Sequence, residues 1–600
     1  MSVLQALERY YHRLDERGEV SAPGWSPEKF GWCVVLDREG KPIDVQDLHD
    51  LSGKKPKVQV YKVPAAVKRT VGIAPNLLWD KTAYVLGRTA GEGKRTAQEH
   101  AAFVDAHLAR LAGQEDAGLV ALRRFLESWR PERFDEAPFR PEMLDGNVMF
   151  RLEGELGFLH ERAAARALVG AEGRKDEDDE VSLCLVTGQQ AKLARLHPTI
   201  KGVEGGQSSG AALVSFNLDA FTSLGKEQGA NAPTSQAAAF RYGAALNHLL
   251  TRDGPNRLRR PVGDATVVFW ADASEAQAAD AADDLIAAWL GGEIEDGAEA
   301  AEVRKQMEAV AAGRPLADLR ADIAPGTRFH VLGLSPNAAR LSVRFWLTDS
   351  LDAFARRLAQ HQQDCRIEPA PMGWGAAPSV GRLLVNTTAL QRDFKNIPPL
   401  LAGEVMRAVL SDTRYPQSLL SVALIRLRAG DNAASGWHAA AIRAVLARDH
   451  RLGFTKENVP MSLDREHRTP GYLLGRLFAV HELAQRAALG RVNATIRDRY
   501  FGAASATPAS VFPLIVRGGQ NHLSKVRKDK PGWASLIERE LENIYGNLGA
   551  SLPRSLSLQQ QGEFAIGYYH QRAAKLSNDH GEAVNADDLP DTTETEGDDQ

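Results

Sequence analysis

The apolar and polar positions divide this chain into two kinds of pattern. Before about residue 350, short apolar runs alternate with helical stretches, whereas beyond it apolar residues recur at helical spacing. The first pattern is typical of α+β folds and the second of helical bundles. The sequence therefore predicts a multidomain α+β protein. Its N-terminal and middle regions hold small antiparallel or mixed sheets, and an all-α C-terminal helical bundle follows.

Individual elements follow from the same spacing. Early in the chain we expect a helix over 1–20, a hairpin whose first strand is 30–36, helical structure over 96–129 and a strand over 150–158. The middle region predicts strands at 183–187, 213–216 and 266–270, a helix at 236–250, and paired strands at 326–334 and 340–348. Ten helices are expected from residue 351 onward, including 490–499, with short linkers at 369–378 and 503–508.

Changes in composition predict four regions. Residues 1–180 form an N-terminal α+β domain that ends in a charged linker, and 181–350 form a middle α+β region. Residues 351–576 form the helical region, and 577–600 form an acidic disordered tail. The tail carries nine of the 77 acidic residues and no Lys or Arg, so the rest of the chain has a small excess of its 73 basic residues. That balance permits nucleic-acid binding without requiring it.

Several classes of protein are excluded by composition. No apolar run approaches the length of a membrane helix, and charges recur through the first helix, unlike a secretory signal. The three cysteines are far apart and form no C-x-x-C pair, so neither a disulfide framework nor a zinc ribbon is predicted. We expect a cytoplasmic protein with no membrane association, no metal site and no cofactor.

A polar segment between the apolar runs of 181–272 is the most informative stretch. Glycines at 202, 205, 206 and 210 would let the backbone approach a ligand closely. Amide side chains can read base edges, and lysines and backbone N–H groups can hold phosphates. The other interpretation is a connection that stabilises its own turns. The candidate binding residues are Lys201, Gln207, Ser208, Ser209, Asn217, Lys226, Gln228 and Asn231.

No catalytic constellation emerges from the motifs. Gly206–Gly210 matches G-x-S-x-G, but a nucleophile elbow needs a strand before the serine and a helix after it, and here the order is reversed. The glycines near Lys94 lack P-loop spacing. We therefore expect a protein that is not an enzyme. A serine hydrolase at Ser208 or a nuclease of unrecognised type stays the alternative.

Two basic stretches complete the candidate surfaces. Residues 54–69 interleave five lysines and an arginine with Tyr61, which suits phosphate tracking with base stacking but equally a solvated edge strand. The helix near 517–530 has a basic face, which suits either contact with single-stranded DNA or a charged surface that only faces solvent. Candidates in the first stretch and just beyond it are Lys57, Lys62, Lys68, Arg69, Asn76 and Lys81, and those in the second are Arg517, Asn521, Lys525, Arg527, Lys528 and Lys530.

Long stretches of the chain resemble one family. The segments NLLWDKTAYVLG, CLVTG, LHPTIKGVEGGQSSGAALVSFN, FTSLGKEQGANAP, GDATVVFWA and GRLLVNT are similar to the large subunit of the type I-C CRISPR interference complex, Cascade. The resemblance extends from the first helix to about residue 575 and leaves out only the acidic tail.

The resemblance implies a non-catalytic subunit of an RNA-guided antiviral ribonucleoprotein. Guide RNA (crRNA) would read the target DNA by pairing, while this subunit recognises a short flanking motif, the PAM, in the duplex. It would stabilise the R-loop and displaced strand, contact the handle-binding and backbone subunits, and help to recruit the helicase-nuclease. We expect the candidate residues at 57–81 and those at 201–231 to contact the PAM or duplex. We expect the candidates at 517–530 to line the path of the displaced strand. A scaffold role without PAM reading is a third possibility.

The resemblance also implies that the C-terminal part of the helical region, about 461–576, is similar to a small subunit. In this family that segment is also made separately from an internal start. Met461 is the last methionine of the chain and precedes the helical block, so it is the candidate start. An ordinary methionine is the other interpretation.

Overall fold

The computed structural model describes residues 1–52, 56–67, 69, 72–172, 181–291, 297–490, 492–574, 576–577 and 583–584. Its contacts divide the chain into two compact units, each made of separate stretches of sequence. The N-terminal unit contains Ser2–Pro198 and Ser215–Leu246, and the C-terminal unit contains Met1, Thr199–Val214 and Asn247–Gln600. Each of the four regions predicted from composition is a continuous stretch of sequence, unlike these units. The boundaries of the four regions stay a prediction.

The N-terminal unit combines short helices with small sheets. Its helices are α1 (Val3–Glu16), α2 (Thr82–Val85), α3 (Thr96–Leu111), α4 (Ala117–Ser128), α5 (Ala163–Glu172) and α6 (Gln236–Leu249). Its strands are β1 (Trp25–Phe30), β2 (Trp32–Leu36), β3 (Pro42–Asp47), β4 (Gln59–Pro64), β5 (Asp80–Lys81), β6 (Asn147–Leu152), β7 (Val181–Leu183) and β8 (Gln190–Lys192).

Strand β2 lies inside this unit and organises its main sheet. The strand order is β3-β2-β6-β5, in which β2 pairs antiparallel with β3 and parallel with β6. All five β2 side chains are buried, as expected for a strand covered on both faces. Two further antiparallel pairs, β1 with β4 and β7 with β8, lie outside this sheet.

The C-terminal unit carries the second sheet and most of the helices. Its strands are β9 (Thr199–Ile200), β10 (Ala211–Ala212), β11 (Thr266–Asp272), β12 (Arg328–Asn337), β13 (Arg340–Ser350), β14 (Leu576–Ser577) and β15 (Ala583–Val584). The five-stranded sheet has the order β11-β12-β13-β10-β9, and only its β10–β13 contact is parallel. The short strands β14 and β15 pair with each other.

Twelve α-helices of this unit fall within the described ranges and surround a single large apolar core. None of the helices in the described ranges is both long and apolar enough to cross a bilayer. The predicted α+β class with a helical C-terminal region is confirmed. The helices are α7 (Ala276–Gly291), α8 (Gly297–Ala311), α9 (Leu351–Cys365), α10 (Val380–Val385), α11 (Pro399–Ser411), α12 (Gln417–Arg428), α13 (Trp437–Arg451), α14 (Pro470–Leu489), α15 (Ile496–Ala506), α16 (Pro508–Asp529), α17 (Pro531–Asn547) and α18 (Leu558–Ala573).

Some predicted boundaries were wrong, each for a local reason. No strand forms over 213–216, because the chain leaves the C-terminal unit after Val214 and so leaves its sheet. The strand predicted at 150–158 is β6 and ends at Leu152, before Gly154, whose φ is +78°. The linker predicted at 503–508 is mostly helix. Only Thr507 separates α15 from α16, because Pro508 begins the new helix.

Glycines set the spacing of the central helix pair, α14 and α18. A Cβ atom at Gly475 would clash with the backbone carbonyl oxygen of Phe564, and one at Gly567 would clash with that of Tyr472. Between these contacts, the buried Arg476 donates through Nε to Gln571 at 2.8 Å. Two backbones that approach this closely bury their apolar neighbours but leave no room for larger residues.

Replacing Gly475 with alanine should therefore destabilise the C-terminal unit. The added methyl group has no space, and overpacking of this kind costs about 1–3 kcal/mol. The midpoint of thermal unfolding, followed by circular dichroism, should fall. The control is Gly518→Ala on α16, where no atom lies within 4 Å of the new Cβ and helix propensity favours alanine by up to about 1 kcal/mol. Equal midpoints for the two variants would contradict this packing.

A buried acid lies beside the start of α14. Glu563 on α18 is 4% exposed, and its Oε2 has no hydrogen-bond partner within the described part of the chain. Burial raises the pKa of Glu563 from 4.5 to about 7, because the charged form is poorly solvated there. The folded state thus holds a proton that the unfolded state releases at lower pH.

Stability should fall as the pH rises from about 4.5 to about 7, since the unfolded state binds fewer protons across that interval. In Glu563→Gln the neutral amide removes this dependence, so the variant should gain stability relative to the wild type towards pH 7 and above. Thermal unfolding midpoints between pH 5 and 8 measure the difference. Glu542→Gln, at an exposed position on α17, is the control and should leave the pH profile unchanged. Identical profiles for Glu563→Gln and the wild type would refute the assignment.

Candidate nucleic-acid interface

A glycine-rich loop joins β9 to β10 at one edge of the five-stranded sheet. It covers residues 201–210, hereafter the edge loop, and its two strands are in antiparallel register. Lys201, Gln207, Ser208 and Ser209 are all exposed on it. Four of the eight predicted residues of this middle segment therefore share one short loop in the C-terminal unit.

The edge loop is ordered by hydrogen bonds from its backbone to the unit beneath. Lys201 N–H donates to Oδ1 of Asn247 at 2.7 Å, and Glu204 N–H donates to Oγ1 of Thr266 at 2.9 Å. The guanidinium of Arg257 donates to the carbonyl oxygen of Gly202 at 3.0 Å. At Gly202, with φ of +87°, a Cβ would meet the carbonyl oxygen of Leu250, so the close approach requires glycine. The polar tip is thus presented on a fixed base.

Sequence reasoning missed the cations around this loop. Arg257 holds the loop backbone, as described, and Arg340 is the register partner of Ala212 at the start of β13. Both arginines come from segments far from 201–210 in sequence, and the pairing of β10 with β13 brings Arg340 to the same edge. No spacing rule within the loop could have found them.

The remaining four predicted residues belong to the N-terminal unit. Asn217 and Lys226 are exposed. The side chain of Asn231 is committed to its own loop, because Oδ1 accepts from Ser223 N–H at 2.9 Å and Nδ2 donates to the carbonyl oxygens of Lys226 and Gln228, both at 3.0 Å. Gln228 is half-buried with φ of +42°. In this segment the interpretation as a self-stabilising connection explains Asn231, whereas the contacts predicted for the exposed Asn217 and Lys226 stay a prediction.

The first basic group is less uniform than its sequence. Asn76 is 4% exposed, and its Oδ1 accepts from Val67 N–H at 2.9 Å, so it is not a surface residue. Arg69 pairs with the buried Asp80 and lies over the Tyr84 ring at 4.0 Å. Burial raises the pKa of Asp80, and the guanidinium of Arg69 acts against that rise. The predicted contacts at Asn76 and Arg69 are therefore replaced by structural roles.

Three lysines of this group lie in the described structure. The ammonium of Lys62 donates to the carbonyl oxygens of Gly18 at 2.6 Å and Val20 at 3.1 Å. Lys57 and Lys81 are exposed. Lys68 lies outside the described residues. Burial does not alternate along this stretch: all residues of 57–62 are exposed except the half-buried Tyr61, and Val63 and Pro64 are buried.

A lysine that was not predicted joins this group. Lys81 is the register partner of Asn147, whose Nδ2 donates to the carbonyl oxygen of Lys29 at 2.9 Å. Lys29 is exposed at the end of β1, so Lys29 and Lys81 lie on either side of one asparagine. The two lysines are 52 residues apart in sequence, and the strand pairing brings them together.

Helix α16 carries the third surface, hereafter the α16 row: Arg517, Asn521, Lys525 and Lys528. Spacings of four, four and three residues place these exposed side chains on one helix face, about 6 Å apart along the axis for a four-residue step. The opposite face buries Phe512, Ile515 and Leu523. Of the other predicted residues, Arg527 pairs with Glu538 on α17, and Lys530 is half-buried at the end of the helix.

Helix α17, which packs against α16, carries an exposed aromatic side chain. Tyr545 on α17 is 42% exposed, and its hydroxyl is 3.4 Å from Nε2 of His481. A Cβ at Gly519 of α16 would clash with the same imidazole. Burial lowers the pKa of His481 to about 4, so this histidine adds no positive charge at neutral pH. Tyr545 was not predicted, because nothing in the sequence of α17 links it to α16.

The serine motif does not have elbow geometry. Ser208 lies in a turn between the antiparallel strands β9 and β10, and no helix follows it directly. Within the described ranges, no group of three or more His, Cys, Asp or Glu side chains is arranged to hold a metal ion.

These features define a multidomain protein with three separate polar or basic surfaces on ordered supports. A family model for a CRISPR-associated protein, Cas_Csd1, matches residues 7–576. The chain belongs to this family, and the family assignment identifies it as a CRISPR-associated, Cascade-type protein. No curated protein matches the chain.

The α16 row generates a prediction about salt dependence. Replacing Lys525 and Lys528 together with alanine should weaken binding to single-stranded DNA whatever its sequence. It should also reduce the slope of log affinity against log salt by about 1.4, because each phosphate contact on a single strand contributes about 0.7. Fluorescence anisotropy with a labelled oligonucleotide at several salt concentrations measures both effects. Arg527→Ala is the control, since Glu538 already neutralises that cation. An unchanged slope in the double variant would show that the row does not contact phosphates.

Proposed function

We propose that this chain is the non-catalytic large subunit of a type I-C Cascade, the RNA-guided DNA surveillance complex of CRISPR antiviral defence. In this function guide RNA reads the target by pairing, and this subunit recognises the PAM in double-stranded DNA. It then stabilises the R-loop and helps to recruit the helicase-nuclease. The observation that carries the proposal is the family match over residues 7–576.

The edge loop is the best-supported element for PAM reading. Its tip exposes an amide and two hydroxyls, which are groups that hydrogen-bond to base edges, while Lys201 at its base suits a phosphate. The backbone anchors described above fix the base of the loop before binding, which reduces the conformational entropy lost when DNA binds. Lys29, Lys57 and Lys81 form a second candidate contact with the duplex backbone.

The α16 row supports a path for the displaced strand. The three cations of the row lie on one exposed face of the helix and suit contacts with phosphates, and the exposed Tyr545 on α17 offers a face on which a base can stack. The row lies in the block α14–α18, the part that we propose corresponds to a small subunit. Met461 precedes this block, and its carbonyl oxygen accepts from Glu368 N–H at 2.8 Å and from Nε2 of His570 at 3.1 Å.

A non-catalytic role fits the surroundings of Ser208. The strand–turn–strand context leaves the serine hydroxyl exposed without the strand-to-helix bend that activates a nucleophile elbow. A purely structural scaffold is the other outcome that an experiment has to separate from PAM reading.

The decisive test uses the complex assembled with guide RNA and its partner subunits. Gln207→Ala should reduce the preference for a target with a PAM over one without it by about 5- to 150-fold, the range expected for one lost bidentate base contact. Lys201→Ala should instead weaken both targets equally and lower the salt slope by about 0.9. Equilibrium binding to the two duplexes at two salt concentrations measures both effects.

Lys305→Ala, at an exposed position on α8, is the matched control and should change neither quantity. If Gln207→Ala keeps full discrimination, the edge loop does not read the PAM. If the wild-type complex binds both duplexes equally, the scaffold role replaces the proposed one. Crosslinking of PAM-containing DNA to this chain would count against the scaffold.

A further inference from the structure

The α16 row is a helix face whose positive charges lack acidic partners. Within the described ranges, Arg517, Lys525 and Lys528 are exposed and none of them forms an ion pair, whereas Arg527 on the same helix pairs with Glu538. Like charges four residues apart on a helix destabilise it. An anionic partner would therefore stabilise the row.

The same chain supplies an anionic segment after its last helix. The acidic tail, residues 577–600, contains nine Asp or Glu residues and no Lys or Arg, and seven of the nine acids lie within 587–599. That stretch lies outside the described residues, and it follows the end of the family match at residue 576. Its negative charge is complementary to the positive charge of the row.

The packing of the last helices brings the start of the acidic tail close to the row. Helix α18 ends at Ala573, and Ala574 lines a small cavity together with Ile537 of α17. Glu538, the next residue on α17, pairs with Arg527 near the end of α16. The end of α18 and the basic end of α16 thus lie against neighbouring parts of α17.

The acidic tail is long enough to cover the row. An extended chain spans about 3.3 Å per residue, so the twelve residues between Ala574 and Asp587 can reach about 40 Å. The row itself, from Arg517 to Lys528, is only about 16 Å long along the helix axis. A segment tethered so close has an effective concentration of about millimolar, so ion pairs that are weak individually would hold it.

Cations nearer to the end of α18 are already paired. Arg572 pairs with Glu482, and Arg465 and Arg476 both pair with Glu540. The α16 row, by contrast, presents its charges to solvent. An anionic segment that starts after α18 would gain more by binding the row than by competing for these pairs.

We propose that the acidic tail docks on the α16 row of its own chain and occupies the positions of phosphates until a nucleic acid displaces it. Carboxylates bind Lys and Arg side chains through the same charge-assisted hydrogen bonds as phosphates do. The docked tail would lower the binding of unrelated single strands. The contact itself goes beyond the proposed function and does not require it, and only competition with the displaced strand rests on that function.

Zero-length carbodiimide crosslinking of the full-length chain, followed by mass spectrometry, tests the contact directly. At low salt we expect crosslinks from tail carboxylates to Lys525 and Lys528, since this reagent joins only groups in direct contact. Lys305, exposed on α8, is the internal control and should show no enrichment. The crosslinks should be lost near 1 M salt, where the Debye length is about 3 Å. A mixture of nitrogen-15-labelled and unlabelled chains shows whether each crosslink joins one chain or two.

A double-mutant cycle tests the competition with nucleic acid. The tail-neutral variant of the full-length chain should bind a labelled oligothymidylate about tenfold more tightly than the wild type, as expected when about three exposed ion pairs are lost. In the background of Lys525→Ala and Lys528→Ala, the same tail change should have almost no effect, because the tail then shields little. The substitutions of the tail-neutral variant are Asp587→Asn, Asp588→Asn, Asp591→Asn, Glu594→Gln, Glu596→Gln, Asp598→Asn and Asp599→Asn.

Three results would overturn the docking. Tail crosslinks could be absent from the row or equally frequent at Lys305, they could join only different chains, or tail neutralisation could raise the affinity equally in both backgrounds. The second result would indicate contact between copies, and the third an effect of net charge alone. Failure of the assembled complex to bind DNA in a PAM-dependent way would instead overturn the proposed function and leave the crosslinks unchanged.

Discussion

The polar surfaces of this protein depend on hydrogen bonds from loop backbones to a rigid support. A loop such as 201–210 has few apolar side chains to bury, so its own side chains provide little energy for ordering it. Order comes instead from Asn247, Thr266 and Arg257, which satisfy backbone groups in the first part of the loop, at residues 201, 202 and 204. Asn231 does the same for the turn at Leu224. In both places the supporting side chains form hydrogen bonds to the loop backbone, and other residues are exposed at the tip.

The helical region solves the opposite problem, since it has abundant apolar surface and must select one arrangement of helices. Glycines on α14 and α18 allow an approach that larger residues would prevent. The buried Arg476 reinforces that choice, because its guanidinium reaches Gln571 on α18 and Glu540 on α17. A misplaced helix would leave this charge buried without a partner, which is strongly unfavourable. The α16 row is therefore mounted on a block whose geometry is narrowly specified.

The sequence predicted much of the architecture, because periodicity reports burial directly. Helix α1 is an example: a helix was predicted over 1–20, and the observed helix buries Leu7, Tyr10, Tyr11 and Leu14. The hairpin of β12 and β13 was likewise predicted from two apolar runs around a turn. The predicted element boundaries were wrong where a single residue or a change of unit ends the element, as at Gly154, Thr507 and Val214. Such events leave no periodic signal.

The binding residues were harder to predict, because residue type does not reveal whether a polar side chain faces solvent. Three predicted side chains could contact DNA by their chemistry but are engaged within the protein. Asn76 and Asn231 hydrogen-bond to backbone groups, and Arg69 pairs with the buried carboxylate of Asp80. The sequence reasoning missed Lys29 and Arg340 for the converse reason, since strand pairing brings them to surfaces encoded elsewhere in the chain. Long-range contacts of this kind become visible only once the fold is known.

The interleaving of the two units has a consequence for how the protein forms during synthesis. Residues 199–214 emerge from the ribosome early, yet their strand β10 pairs with β13, which begins at Arg340. At about 5–20 residues per second, the hairpin waits on the order of ten seconds for its partner strand. An apolar hairpin left unpaired for that time would be prone to aggregate. The glycine- and serine-rich edge loop lacks the composition of aggregation-prone segments, which matters most during this interval before the rest of its sheet has been made.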